Sequence, residues 1–193
     1  MRVFSKLTPL DVGRLRDHLL RLQPTDRVMR FSGHVSDDFI AEHCRKLDWL
    51  TAVVVGWFED GELRGAAEIR FEHPGAERAE VAVTVEGPWQ DQGLGTALLH
   101  RAIVIARNRA AKSIYMLCLI DNPRMLHIAA KFDGVLQLYG GQAEADLLLP
   151  YPTQLSLLEE AAGDGAGYLG RAYEQIRAGA LPRWDWPAFS PAH

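Results

Sequence analysis

The chain has 193 residues, 48% hydrophobic and 24% charged, with 25 acidic against 21 basic side chains for a formal net charge of -4. That balance excludes a chain that stays disordered, and the length fits one globular domain with an appendage. A pI near 6.0 argues against a nucleic-acid binder, and apolar stretches such as Ile114 to Ile120 are too short to span a membrane, so any polyanion must be held locally.

Thr8-Pro9-Leu10-Asp11 reads as a helix start, with Thr8 as cap and Pro9 at the first helical position. Leu15, Leu19, Leu20 and Leu22 then supply an apolar face up to Gln23-Pro24. After a polar connection, Ser36-Asp37-Asp38 opens a second helix through Phe39, Ile40, Cys44 and Leu47. Strands follow over Thr51–Phe58 and Leu63–Phe71, with Asp60-Gly61 marking a hairpin. A third strand covers Glu80–Val85, and Gly93 to Ala111 has helical spacing with apolar residues around much of its circumference. Ser113–Leu119 is a strand, Asn122-Pro123 starts a helix, and Gly134–Leu138 and Ala143–Leu149 are strands around a Gly140-Gly141 turn. The order, roughly β α α β β β α β α β β, predicts an α/β fold with a mixed central sheet and helices on both faces. Residues 1–149 form this domain. Beyond Pro150 comes a helical extension (150–193), with a helix over Leu155–Ala162, a break at Gly163–Gly167, a second helix over Tyr168–Ala178, and a tail holding Trp184 and Trp186 as interface anchors.

The segment richest in chemistry runs from the third strand into the long helix. Val81-Ala82-Val83-Thr84-Val85 ends a strand, a short loop turns, and Gln90-Asp91-Gln92-Gly93-Leu94-Gly95-Thr96 opens directly onto the helix. A helix start presents unpaired N–H groups and the positive end of the dipole, and glycines allow close backbone approach. A phosphate or pyrophosphate site is expected over Asp91–Thr96. Leu98 stands where a dinucleotide fingerprint has its third glycine, and the segment follows several strands, not the first.

The Gln-x-x-Gly-x-Gly pattern at the end of an alternating strand resembles the acyl-coenzyme A motif of the GCN5-related N-acetyltransferases. The resemblance extends from about residue 5 to about 149 through the helix pair, the Asp-Gly hairpin and the strand running into Asp121-Asn122. It implies that the strands before and after the long helix splay apart to admit the pantetheine of acetyl-CoA. Freed backbone groups of Val83 and Val85 would pair with its amides. The pyrophosphate would rest on the backbone amides of Asp91, Gln92, Gly93, Leu94, Gly95 and Thr96, with Gln90 a further cofactor-binding residue and Asn122 bonding the pantetheine arm. Asn122 is equally an ordinary helix cap. Arg101, Arg107, Arg109 and Lys112 could neutralise the 3′-phosphate or form a solvated basic face.

Amine acetylation needs a group to take protons from an ammonium. The tyrosine common in the family seven residues after the asparagine is absent, since position 129 is Ala129, and Leu117 replaces a glutamate that some members use as base. Glu80 remains, in an Ala79-Glu80-Val81 context resembling a subgroup that includes bacterial protein-lysine acetyltransferases. It would act as base, or merely pair with Arg70 or Arg78. Glu68 is a weaker candidate, and Tyr115 and Tyr139 are candidate acids off the motif positions. The expected acceptor is a primary amine, either a protein lysine or a small molecule. A coenzyme-binding regulatory module without catalysis is the alternative.

No CxxC or histidine pattern suggests a metal site, and Cys44 and Cys118 read as reduced core thiols. The charged start Met1–Lys6 lacks an apolar segment behind it, so a cytoplasmic chain is expected, without nucleic-acid or membrane partners. A homodimer is compatible with the extension.

Overall fold

The computed structural model describes residues 1–177. It begins with β1 (Arg2–Lys6), a 3₁₀ turn at Pro9–Asp11, and helices α1 (Val12–Arg21), α2 (Pro24–Phe31) and α3 (Asp37–Arg45). Strands β2 (Ala52–Glu59), β3 (Glu62–Phe71) and β4 (Arg78–Val85) follow, then α4 (Leu94–Asn108), β5 (Ser113–Leu119) and α5 (Pro123–Ala130). The described chain closes with β6 (Val135–Tyr139), β7 (Gln142–Leu148) and α6 (Gln154–Arg177). One sheet holds all seven strands in the order β1-β2-β3-β4-β5-β7-β6. Every neighbouring pair is antiparallel except β4 and β5. Asp60 and Gly61 both take positive φ at the β2–β3 hairpin, as a tight right-twisting connection requires.

Two expectations need correction. The stretch after Pro24 is a helix, α2: the proline that ends α1 serves as the first residue of the next helix, where its missing N–H costs nothing. The break expected at Gly163–Gly167 is absent, and α6 runs through it unbroken. Tertiary packing explains this, because a Cβ at Gly167 would lie 2.5 Å from the Phe4 carbonyl oxygen and one at Gly170 would lie 2.7 Å from Val3 Cγ2. Trp184 and Trp186 lie outside the described residues.

The sheet separates two cores. On one face, Ile69, Val81, Ile114, Met116 and Leu147 meet Leu98, Ala102 and Ile105 of α4. On the other, Val54, Phe58, Leu63 and Ala66 meet Leu15, Leu19 and Ile40 of α1 and α3. Strand alternation therefore sends Ala79 and Val81 toward α4, and Glu80, Ala82 and Thr84 toward α1–α3. Both cysteines are buried and unpaired, and burial pushes the Cys44 thiol up to about 12.

What positions the site is a split in the sheet. β4 and β5 pair only over Arg78–Glu80 with Ser113–Tyr115, whereas β5 goes on pairing with β7 as far as Leu119. From Val81 onward β4 has lost its β5 neighbour. The Glu86 N–H donates to the Arg64 carbonyl at 3.0 Å. Main-chain groups point to alternate sides along a strand, so Thr84 and Ala82 face β3 while those of Val81, Val83 and Val85 face the split.

Candidate active site

The split opens into a cleft of about 680 Å³. Its floor is Val81–Val85 of β4, facing Leu117 and Cys118 of β5. Its mouth is the loop at Gln90, Asp91, Gly93, Gly95 and Thr96, with Asn122 and α5 on one side and Leu22, Thr25, Asp26, Met29 and Arg30 on the other. Gly93 caps α4 with φ +79°, a conformation that L side chains resist. The first intrahelical bond of α4 runs from Ala97 N–H to the Gly93 carbonyl, so the amides of Leu94, Gly95 and Thr96 have no helical partner. Gly95 matters for a different reason: a Cβ there would sit 3.0 Å from Ile128 Cδ1, where α5 packs closely on the start of α4.

The expected cofactor residues divide into groups. Val83, Val85, Gln90, Asp91, Gly93, Gly95, Thr96 and Asn122 all line the cleft. Leu94 turns its side chain into the core and offers only its amide, while Gln92 folds back to donate to the Pro88 carbonyl at 2.9 Å, outside the lining. Gln90 ties the loop to the cleft walls, donating to the Val85 carbonyl at 2.8 Å and to Asp26 at 3.0 Å. Asn122 caps α5 by accepting the Met125 N–H at 3.1 Å, which leaves its amide nitrogen to donate into the cleft.

None of the basic residues expected on the long helix lines the cleft. Arg101 lies over the Phe4 ring, Arg107 donates to the Tyr151 carbonyl, Arg109 pairs with Glu160, and Lys112 pairs with Glu77. The cleft's cations are instead Arg30 of α2 and Arg124 and Lys131 in and just after α5, with His127 between the latter two. Sequence reasoning missed them. The signal was present in Arg124, His127 and Lys131, at the i, i+3 and i+7 spacing of one helix face.

Glu80 sits at the apex of the split, in the last of the three β4–β5 pairs. Arg70 is committed to Glu68 at 2.9 Å and Arg78 to Asp146 at 2.6 Å, so neither expected arginine pairs with it among the described residues. Glu68 has a different environment. It is buried, and although burial alone would raise its carboxyl, Arg30, His43 and Arg70 hold it well below the ordinary value. A carboxylate so neutralised is a poor proton acceptor. Ala129 is buried in the core, and Tyr139 lies on the exposed β6 strand, hydrogen-bonded to Gln137. Among the described residues there is no cluster of three or more His, Cys, Asp or Glu side chains suited to a metal, and no helix long and apolar enough to cross a membrane.

A family model described as the acetyltransferase (GNAT) family matches residues 18–134. Among solved structures, the GNAT domain of Streptomyces lividans PAT superposes with a TM-score of 0.66 at 20% identity, covering 76% of this chain and 89% of its own. A GNAT-family acetyltransferase from Streptococcus pneumoniae gives 0.62 at 15% identity, covering 78% of this chain and 100% of its own. A cAMP-binding acyltransferase from Mycobacterium smegmatis gives 0.57 at 22% identity, and this chain, covered to 92%, spans about half of that longer protein (52%). Among curated proteins, none matches closely enough to count as a relative. A mixed α/β sheet split between its fourth and fifth strands, a helix N-terminus aimed into the split, and a family match over more than half its length establish that the chain belongs to the GNAT family of acetyltransferases.

Proposed function

We propose that the chain transfers an acetyl group from acetyl-CoA to a primary amine, by direct attack while both substrates are bound. One observation carries this reading. The unpaired amides at the start of α4 and the freed main-chain groups of β4 open into the same cleft, a pyrophosphate cradle joined to a strand edge that can grip an amide-bearing arm. Val83 and the Val85 N–H supply the strand edge, the Val85 carbonyl already accepting from Gln90, with Gly93–Thr96 as the anion cradle and Asn122 as a donor from the opposite wall. Arg124 and Lys131 add positive charge beside the phosphates, and His127 a polar ring between them. Among the structural neighbours, a Salmonella typhimurium protein, yncA, is described with acetyl-CoA as its cofactor.

Glu80 is the proposed base, directly or through water: it is half-buried, without an ion-pair partner among the described residues, and located where the split begins. The Val83 amide faces the split where it can hold the thioester carbonyl. No tyrosine acid is assigned, since coenzyme A can leave as thiolate. The acceptor amine enters between β4 and α1–α2. Neighbours described as acting on the amino groups of ribosomal proteins, such as the S18-alanine N-acetyltransferase from Escherichia coli, support a protein amine as acceptor, with small amines in the same chemical class. A cytoplasmic setting follows from that substrate pair.

The test is acetyl-CoA-dependent release of free thiol with spermidine, an aminoglycoside and a lysine-bearing peptide, beside thermal shift with acetyl-CoA alone. Glu80→Gln is expected to keep the thermal shift and to lower kcat by about 10²-fold or more, the contribution of a positioned base. A wild-type thermal shift without turnover of any amine would favour a binding module, the reading to which Ala129 and Leu117 lend support. No thermal shift at all would sink the coenzyme site.

A further inference from the structure

Three buried polar groups lie beneath the cleft floor on the face turned toward α1–α3, and the chemistry assigned above does not use them. His18 of α1 is 0% exposed, Thr84 of β4 8% and Glu86 4%. His18 Nδ1 lies 3.0 Å from Glu86 Oε1, and His18 Nε2 lies 2.9 Å from Thr84 Oγ1. Thr84 alone of the three lines the cleft.

The polarity of this chain of hydrogen bonds follows from its members. Burial would raise the Glu86 carboxyl, but His18, Arg21 and Arg64 hold it below the ordinary value, so it is an ionised, acceptor-only group. The proton between His18 and Glu86 therefore sits on Nδ1. Burial lowers the His18 pKa below its ordinary value, against Glu86 and Glu68, which raise it, and with Arg21, which lowers it further. The ring is neutral at physiological pH, and its Nε2 carries a lone pair. Thr84 then donates its O–H to His18 Nε2 at 2.9 Å, the nearer of its two acceptors, since the Ala66 carbonyl lies at 3.5 Å. The remaining lone pairs of Thr84 Oγ1 are left to accept from a donor in the cleft.

We propose that Thr84, His18 and Glu86 form a second proton acceptor for the amine. This rests on the acetyltransferase reading and deepens it. A primary ammonium must lose two protons to become an amide N–H, and Glu80, about 13 Å along the strand from Thr84 and so reached through water, takes only one of them. As the amine nitrogen bonds to the acetyl carbon and the C–S bond breaks, the electron pair leaves with sulfur, which is protonated from solvent. The second N–H proton passes to Thr84 Oγ1 while the hydroxyl's own proton moves to His18 Nε2. The imidazolium so formed is held by the Glu86 carboxylate and returns its proton by the same path once product leaves. Thr84 touches the substrate, while His18 and Glu86 act through it as positioning residues.

The test uses the full chain with acetyl-CoA and the amines named above. Thr84→Val should lower kcat by about tenfold to a hundredfold, within the range of general base catalysis, with KM for acetyl-CoA and the thermal shift unchanged. Thr84→Ser should recover most of the lost rate. His18→Gln should abolish the acidic limb of the kcat profile that neutral His18 imposes. ¹⁵N NMR of the wild-type imidazole should find the proton on Nδ1, a readout independent of how any variant folds. A Thr84→Val enzyme with the wild-type rate, or a proton on Nε2, would overturn the relay and leave the acetyltransferase reading standing. Failure of the wild type to acetylate any amine would overturn both.

Discussion

Asp91 places a carboxylate inside the loop proposed to receive phosphate. It takes a left-handed φ of 58° and is matched by Arg124, whose guanidinium donates to both its oxygens at 3.1 Å. The pair is largely exposed, so it adds little to stability. Its effect is on the ligand, since it occupies a cation that faces the cradle and adds a negative charge there. Asp91→Asn keeps a side chain that tolerates left-handed backbone. It should tighten acetyl-CoA by about threefold at low salt, the size of one charge at a helix N-terminus, and the gain should shrink as salt screens it. Calorimetric titration at two ionic strengths checks this; equal affinity in the two proteins would mean Arg124 does not reach the phosphates. At this scale the sequence was most informative where backbone geometry does the chemistry. A glycine before a helix announces itself in one dimension, and Gly93, Gly95 and Asn122 all line the cleft. Side-chain partnerships across the sheet do not announce themselves: His18 looks like any polar residue on an apolar helix face until Thr84 and Glu86 are brought beneath it.

Between elements, Glu68 binds the helical layer to the sheet. From β3 it receives Arg30 of α2 at 2.7 Å and His43 of α3 at 3.1 Å, with Arg70 of its own strand at 2.9 Å. Because Arg30 also lines the cleft, this buried cluster fixes one of its walls. Removing one charge from such a cluster leaves its partners uncompensated, so Glu68→Gln should cost about 3–5 kcal/mol at neutral pH. The folded carboxyl titrates well below its ordinary 4.5, so its stabilisation is complete above that value and is lost as pH falls through the lower folded value. Unfolding temperatures of the two proteins should thus converge in acid, and a pH-independent gap would refute the linkage. The cluster was not legible beforehand because α2 was read as a connection. Pro24 marks an end and a beginning equally well, and only the packing of Met29 and Arg30 over the split decides for a helix.

At the scale of the molecule, α6 joins parts of the chain that are distant in sequence. Lys6 meets Glu160 and Asp164, Asn108 at the end of α4 and Arg109 just after it meet Glu160, and Arg171 meets Asp11 beside α1. Its glycines fall into two kinds. Gly163 and Gly165 have nothing within 4 Å of a would-be Cβ, whereas Gly167 and Gly170 lie against β1 itself. In one dimension Gly163, Gly165 and Gly167 together read as a helix break while Gly170 passes inside the next helix, since low propensity is visible and the strand that Gly167 and Gly170 rest on is not. The distinction gives opposite expectations for one kind of change. Gly165→Ala should stabilise by about 0.5–1 kcal/mol, the ordinary gain of alanine over glycine in a helix. Gly167→Val must push α6 off the Phe4 carbonyl and should cost about 1–3 kcal/mol, as overpacking does. Hydrogen exchange should then speed up in β1 and α6. No residue of α6 lines the cleft, so coenzyme affinity should hold in both variants, and a loss of binding in Gly167→Val would show that α6 supports the split in the sheet as well as its edge.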